Sequence, residues 1–436
     1  MRKILLTFLA ATALQSYVKA QGWSALGTLP GNNTINALAV TASGTLYAGG
    51  LEDGFTDNQL STWNGSAWTP VSNTTGPVYA LKASGNTMYA GGVLQDANHW
   101  LAVGKTTGTA MSFVGQFLNQ GWYVWAVTTD AAGNVYVGGN FKNANGHSYV
   151  AKWNGSTWSE LGGLDGLTHG SGVIYALTTD AAGNVYAAGD FEDANLHTYV
   201  AKFNGTSWAG VGTGISFHDA IRALAFDASG NLYAAGDDFT GQGHFVAKMS
   251  GTTWTNIGPN VNNDIYALAV SGNTVYAAGD FSNASGKKYV AKYNGSSWSE
   301  LAGTNPLNAN ARIRTLATDA NGNVYAAGDF TDANNQIYVA KFGNTTGVQA
   351  ISQIKDLKCV PNFGNGIYML SASGIKQHDN VIRVFNMAGM LIKTYNCKAD
   401  QGRLSQQIDL TDQPAGNYII QVKNEGETGR ANVQKL

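Results

Sequence analysis

The chain has 436 residues, with 26 Lys/Arg against 28 Asp/Glu; only 12% of it is charged, while 44% is apolar. That length permits more than one domain, and the near-even charge balance excludes a strongly basic or strongly acidic chain. With 55 Gly, 20 Tyr, 11 Trp and 7 Pro, the composition is that of a turn-rich all-β protein.

In chain order, residues 1–20 read as a secretory signal peptide: basic Arg2 and Lys3, an apolar run from Ile4 to Leu14, and a Val18-Lys19-Ala20 end. Cleavage near Ala20 leaves Gln21 first, and no later apolar run is long enough to span a bilayer. Next comes Trp23-Ser-Ala-Leu-Gly27, an isolated strand pattern. From there to Gly343 one unit recurs, clearest at Ile174 to Gly212, where four short alternating strands are separated by Asp180-Ala-Ala-Gly183-Asn184, a longer connection and Asn204-Gly205.

The second-strand tyrosines Tyr47, Tyr89, Tyr136, Tyr186, Tyr233, Tyr276 and Tyr325 are 42 to 50 residues apart, a period that marks a stacked or radial array. Seven four-stranded units predict a seven-bladed β-propeller over residues 21–345. The fourth strand opens with Trp68, Trp158, Trp208, Trp254 and Trp298, with Phe113 in the second unit, and the seventh unit has no fourth strand of its own. Trp23 to Gly27 matches Trp298-Ser-Glu-Leu-Ala302, so the N-terminal strand is expected to complete the last blade and close the ring, removing exposed edges. This region holds 13 Lys/Arg against 21 Asp/Glu, which argues against a nucleic-acid partner.

What recurs in every blade builds the ring, and what varies is free to carry a particular function. The Asp-x-x-Gly-Asn element at Asp130, Asp180, Asp227 and Asp319 lacks the alternating ligands of a calcium loop and reads as a hairpin closed by the Asp side chain. Asn-Gly-Ser/Thr-x-Trp resembles the Asp-box hairpin of sialidases without its Asp. Repeated Asp190, Asp237, Asp280 and Asp329 read as structural acids that satisfy loop amides. One variable set aligns at the start of the first strands: Asn36, Tyr79, Trp125, Tyr175, Arg222, Tyr266 and Arg314. If first strands line the channel these seven ring its mouth, offering aromatic faces for sugar rings and Arg for carboxylates or hydroxyls; packing between blades is the competing reading. His99-Trp100 and the insert Gln116 to Tyr123, with Trp122 and Tyr123, bring further aromatics beside Trp125. The candidate ligand-binding residues are therefore Tyr79, His99, Trp100, Trp122, Tyr123, Trp125, Tyr175, Arg222, Tyr266 and Arg314. Histidines His99, His147, His169, His197, His218 and His244 lie in or beside the longer loops, without a metal-ligand spacing.

Beyond Thr345 the repeat ends, a linker runs over 346–356, and the balance from 346 onward turns to 10 basic against 7 acidic residues. Cys359 and Cys397, the two cysteines of the chain, are candidates for a disulfide in an oxidising compartment, with two buried thiols as the alternative. Three motifs follow in order: Pro361-Asn362-Phe-Gly-Asn-Gly366, Ile382-Arg-Val-Phe-Asn-Met-Ala-Gly389 and Ile408-Asp-Leu-Thr-Asp-Gln-Pro-Ala-Gly416-Asn-Tyr418. Residues 357–436 thereby resemble the type IX secretion C-terminal sorting domain of Bacteroidota. The resemblance implies a small β-sandwich, recognition by the secretion machinery, and a secreted or outer-membrane surface location; Phe363 replaces the family's second proline. The blades resemble the repeats of fungal cortical polarity markers and related bacterial surface propellers, through Tyr276-Ala-Ala-Gly-Asp-Phe281 and Ala291-Lys-Tyr-Asn-Gly-Ser-Ser-Trp298.

The expectation is an exported all-β chain: a seven-bladed β-propeller closed by an N-terminal strand, followed by a small β-sandwich. It recognises a glycan or a protein partner, with no cofactor, metal, nucleic acid or transmembrane span. No Gly-x-Ser-x-Gly elbow occurs and no pair of loop acids stands out. The competing reading is an extracellular hydrolase or lyase acting on polysaccharide or lactones, and a structural surface-layer role comes third.

Overall fold

A computed structural model describes residues 21–29, 34–51, 59–96, 102–115, 123–162, 172–192, 197–213, 219–237, 243–259, 261–344, 355–361, 363–373, 379–386, 390–400, 402–424 and 427–436. The chain divides into two compact units, Met1–Thr345 and Thr346–Leu436.

In the first unit each repeat folds as one antiparallel four-stranded sheet, and seven such sheets occur among the described residues. In blade 4 the strands are Ile174–Thr179, Val185–Gly189, Ala201–Phe203 and Trp208–Gly210, paired in chain order. The Asp180 carboxylate closes the first hairpin by accepting from the Asn184 backbone N–H, the Asn184 side chain and the Tyr186 hydroxyl at 2.7–3.1 Å, and Asp130, Asp227 and Asp319 repeat the arrangement. Asn204 Oδ1 closes the other hairpin on the N–H groups of Thr206 and Ser207, both at 3.0 Å.

Both faces of such a sheet carry apolar side chains, so each packs on the next. Tyr136 and Val150 of blade 3 share a core with Ile174, Val185 and Ala187 of blade 4. The first strands stand side by side in a closed circuit, with Ile313–Thr318 of blade 7 meeting Thr34–Val40 of blade 1. The N-terminal strand Gln21–Thr28 pairs with Tyr338–Asn344 and supplies the fourth strand of blade 7, as the repeat predicts. At that seam the Leu38 N–H donates to Thr315 Oγ1 at 3.1 Å. On the rim, six indole N–H groups donate to carbonyls of the preceding blade: Trp23 to Leu301, Trp68 to Leu26, Trp158 to Val114, Trp208 to Leu161, Trp254 to Val211 and Trp298 to Ile257, at 2.6–2.9 Å. Phe113 has no such donor.

One irregularity repeats in all seven blades. In blade 4 Ile174 faces Gly189 and Ala176 faces Ala188, leaving Tyr175 as an extra residue, a β-bulge. Asn36, Tyr79, Trp125, Arg222, Tyr266 and Arg314 are the extra residues of the other blades. The bulge folds the incoming chain onto the end of the second strand. A Cβ at Gly189 would lie 1.9 Å from the Val173 carbonyl oxygen, and Gly92, Gly139, Gly236, Gly279 and Gly328 meet the same obstruction at 1.9–2.2 Å. The glycine that ends the second strand is therefore a steric requirement in these six blades.

In the second unit a three-stranded sheet (Lys355–Val360, Ile367–Ser373, Arg403–Asp409) and a five-stranded one (Phe363–Gly364, Glu427–Lys435, Gly416–Asn424, Asp379–Asn386, Leu391–Lys398) enclose Tyr368, Leu370, Ile382, Val384, Ile408, Ile420 and Val422. This is the expected small β-sandwich. Cys359 and Cys397 correct the disulfide expectation: both are free thiols. They stand on strands of opposite sheets, Cys359 paired with Leu370 and Cys397 with Asn380, whose carbonyl receives the Cys397 thiol at 3.8 Å. Burial pushes the Cys359 thiol up to about 11.

Replacing Gly189 with Ala forces the Val173 carbonyl aside and is expected to cost about 2 kcal/mol, in the range of overpacked sites. Gly108→Ala, with open space around its Cβ, is the control and is expected to be near neutral in chemical denaturation.

Candidate functional site

A bulge residue is re-aimed relative to the sheet faces on either side of it. Seven bulges in a closed circuit bring seven such side chains to one place. Asn36, Tyr79, Trp125, Tyr175, Arg222, Tyr266 and Arg314 all line one cavity of about 520 Å³ at the centre of the propeller. Below them the lining is Ala37, Ala80, Ala126, Ala176, Ala223, Ala267 and Thr315, then Leu38, Leu81, Val127, Leu177, Leu224, Leu268 and Leu316. The cavity thus has a chemically varied rim, then a ring of small residues, then an apolar ring.

The rim has two arcs. Blades 2 to 4 give an aromatic arc: Trp125 lies 4.5 Å from Tyr79 and 5.3 Å from Tyr123, the latter stacked at 25°, and meets Tyr175 edge-on at 6.2 Å. Burial raises the hydroxyl pKa values of Tyr79 and Tyr175, so both are neutral donors at physiological pH. Blades 5 to 7 give a charged arc. The Arg222 guanidinium lies 4.9 Å from the Tyr175 ring centre and donates through Nε to Asp237 Oδ2 at 2.6 Å. Arg314 repeats this with Asp329 Oδ1, also at 2.6 Å. Between them the Tyr266 hydroxyl donates to Asp264 Oδ2 at 3.1 Å, and Asp264 Oδ1 faces His244 Nδ1 at 3.0 Å. Burial and the Asp264 carboxylate push Tyr266 up to about 12.

The acids at the ends of the second strands correct the expectation that they serve loop amides. Asp190 does so, accepting from the Val173 N–H at 2.6 Å, as Asn140 does from Tyr123. Asp237 and Asp329 instead hold arginines, and Asp280 holds Lys288 at 2.9 Å and Arg312 at 3.6 Å. The sequence carries a trace of this in the shared fifteen-residue step from Arg222 to Asp237 and from Arg314 to Asp329. Asp237 is the most constrained of them: its side chain is 2% exposed and Oδ1 is buried without a hydrogen-bond partner. Burial pushes its carboxyl up to about 6 against the pull of Arg222, and the Asp264 and Asp219 carboxylates add to the rise.

Tyr79, Tyr123, Trp125, Tyr175, Arg222, Tyr266 and Arg314 are thus brought together, while candidates His99, Trp100 and Trp122 lie outside the described residues. Among the described residues no group of three or more His, Cys, Asp or Glu is placed to hold a metal ion, and no helix is long and apolar enough to cross a membrane.

Residues 358–435 match the family of secretion-system C-terminal sorting domains. This is the type IX tail that the three motifs resemble; it directs the chain to the cell surface or extracellular space and implies engagement with that secretion machinery. No curated protein matches the sequence. In structure the chain is similar to the extracellular domain of a protein described as a hybrid two-component system from B. thetaiotaomicron (13% identity, TM-score 0.53, covering 96% of this chain and 59% of that one). It is also similar to PorZ, an essential bacterial surface component of the type-IX secretion system of Porphyromonas gingivalis (14%, TM-score 0.51, covering 94% and 60%). The chain spans about three fifths of the length of both. The WD40 β-propeller domain of Doa1 is similar over 75% of this chain and 98% of its own (13%, TM-score 0.51). At these identities the likeness is one of fold.

An acid raised in the folded state adds stability below its unfolded pKa and loses it as pH rises through the folded value. Asp237→Asn, which does not titrate, is therefore expected to gain stability relative to wild type between about pH 4 and pH 6, by on the order of 2 kcal/mol, and to hold a constant difference above that. Thermal melts across this range check it.

Proposed function

We propose that the protein is an exported recognition module whose propeller binds a glycan at the channel mouth. The supporting observation is the set of Tyr79, Trp125 and Tyr175 rings on the rim of a central cavity, with Tyr123 against Tyr79 and Trp125, next to arginine donors. Flat aromatic faces match the apolar faces of sugar rings, and the Tyr hydroxyls and guanidinium groups supply fixed polar contacts around them. The proposal extends from residues 21–345 as the binding propeller to a signal peptide at 1–20 and a bacterial source among the Bacteroidota, on the sequence grounds given above.

Screening the mature chain on a glycan array is expected to give binding that Trp125→Ala weakens by about tenfold or more, the loss of roughly 1.4 kcal/mol of contact. Tyr79→Ala is expected to act in the same direction. Binding that is indifferent to both changes, or turnover of a polysaccharide panel abolished by one loop carboxylate substitution, would sink the recognition reading in favour of the hydrolase or lyase.

A further inference from the structure

We infer that the ligand at this mouth is an acidic saccharide whose carboxylate or sulfate ester is taken by Arg222 and Arg314; this rests on the glycan reading above. Among the described residues lining the cavity these two arginines are the sole charged side chains, in a propeller that is acidic as a whole. The acids that pair with them are not part of that lining: Asp237 is 2% exposed against 32% for Arg222, and Asp329 is 24% exposed against 35% for Arg314.

Each arginine is tethered the same way. Its Nε donates to a carboxylate on the neighbouring strand of its own blade, which fixes the guanidinium plane. The paired Nη groups form the fork that meets carboxylate and sulfate oxygens two at a time, and neither is used in the tether. Lysine would give a mobile point charge at this position; a guanidinium held from behind gives a preorganised one.

A purely structural role for these ion pairs conflicts with blades 3 and 4. There Asn140 and Asp190 occupy the place of Asp237 and Asp329 and accept from backbone N–H groups, while the bulge residue is Trp125 or Tyr175. The fold therefore builds its mouth without an arginine, and its appearance in blades 5 and 7 answers to something the cavity holds. Aromatic faces on one arc and two forks on the other suit a sugar ring that stacks and carries an acid at its edge.

The test is calorimetric titration of the mature chain with trigalacturonate, with its fully methyl-esterified neutral counterpart, and with a κ-carrageenan tetrasaccharide, whose acid groups are sulfate esters alone. At least one acidic ligand is expected to bind about tenfold tighter than the methyl ester, and the tighter of the two identifies the acid as carboxylate or sulfate. The preference is expected to shrink as salt is raised from about 0.1 to 1 M. Arg314→Gln is expected to melt like wild type, since Asp329 stays partly hydrated, and to reduce the acid preference to about twofold. Trp125→Ala weakens acidic and neutral ligands alike. Equal binding of acid and methyl ester with the Trp125 dependence intact overturns this inference and leaves the glycan reading standing. An acid preference untouched by Arg314→Gln overturns the arginine assignment, and absence of binding to all three ligands overturns the inference outright.

Discussion

One extra residue at the start of each blade's first strand, seated opposite a glycine, is the constraint on which the mouth of this propeller depends. In a regular strand the side chains of Tyr175 or Arg222 would alternate onto a sheet face and be consumed in packing between blades. The bulge takes them out of that alternation. The glycine at the end of the second strand is what admits it, because the carbonyl preceding the bulge occupies the space a Cβ would need. Local backbone geometry, repeated seven times, thus frees one position per blade from the fold's own requirements.

Ring closure fixes where those positions meet. The latches made by the fourth-strand tryptophans tie each rim to the blade before it, and Trp23 carries the set across the junction of the chain's first strand with blade 6. The exception lies between blades 1 and 2, where Phe113 fills the indole's place without a donor. Further in, Phe141, Phe191, Phe281 and Phe330, each at most 1% exposed, meet Tyr149, Tyr199, Tyr289 and Tyr338 edge-on at 4.9–5.1 Å. Each pair directly follows the residue that ends the second strand, Asn140, Asp190, Asp280 or Asp329, so these residues behind the mouth are anchored in a packed layer.

Charge is sorted by depth rather than by sequence neighbourhood. The propeller carries an excess of acids, yet its cavity presents arginine, since the first strands supply the lining and the second strands keep their carboxylates behind it. Asp237 shows the strain of that arrangement: sequestered with Arg222, near Asp264 and Asp219, and with one oxygen unpartnered, it holds its proton more tightly than an exposed aspartate.

The repeat alone determined the all-β class, the closure by Trp23 and the alignment of the seven variable positions, because strand alternation, turn residues and a period near 47 residues are local properties that survive in a linear reading. The three motifs after Pro361 likewise carried the export route, since a sorting signal is read from short ordered stretches. What the tertiary structure decided was direction and partnership. A period-2 pattern cannot show that Tyr175 is an extra residue, that Asp237 and Asp329 reach arginines while Asp190 reaches a backbone amide, or that Cys359 and Cys397 belong to opposite sheets. Each of those depends on which strands become neighbours, and in a ring of near-identical blades that is set by packing and closure, with no counterpart in any single repeat.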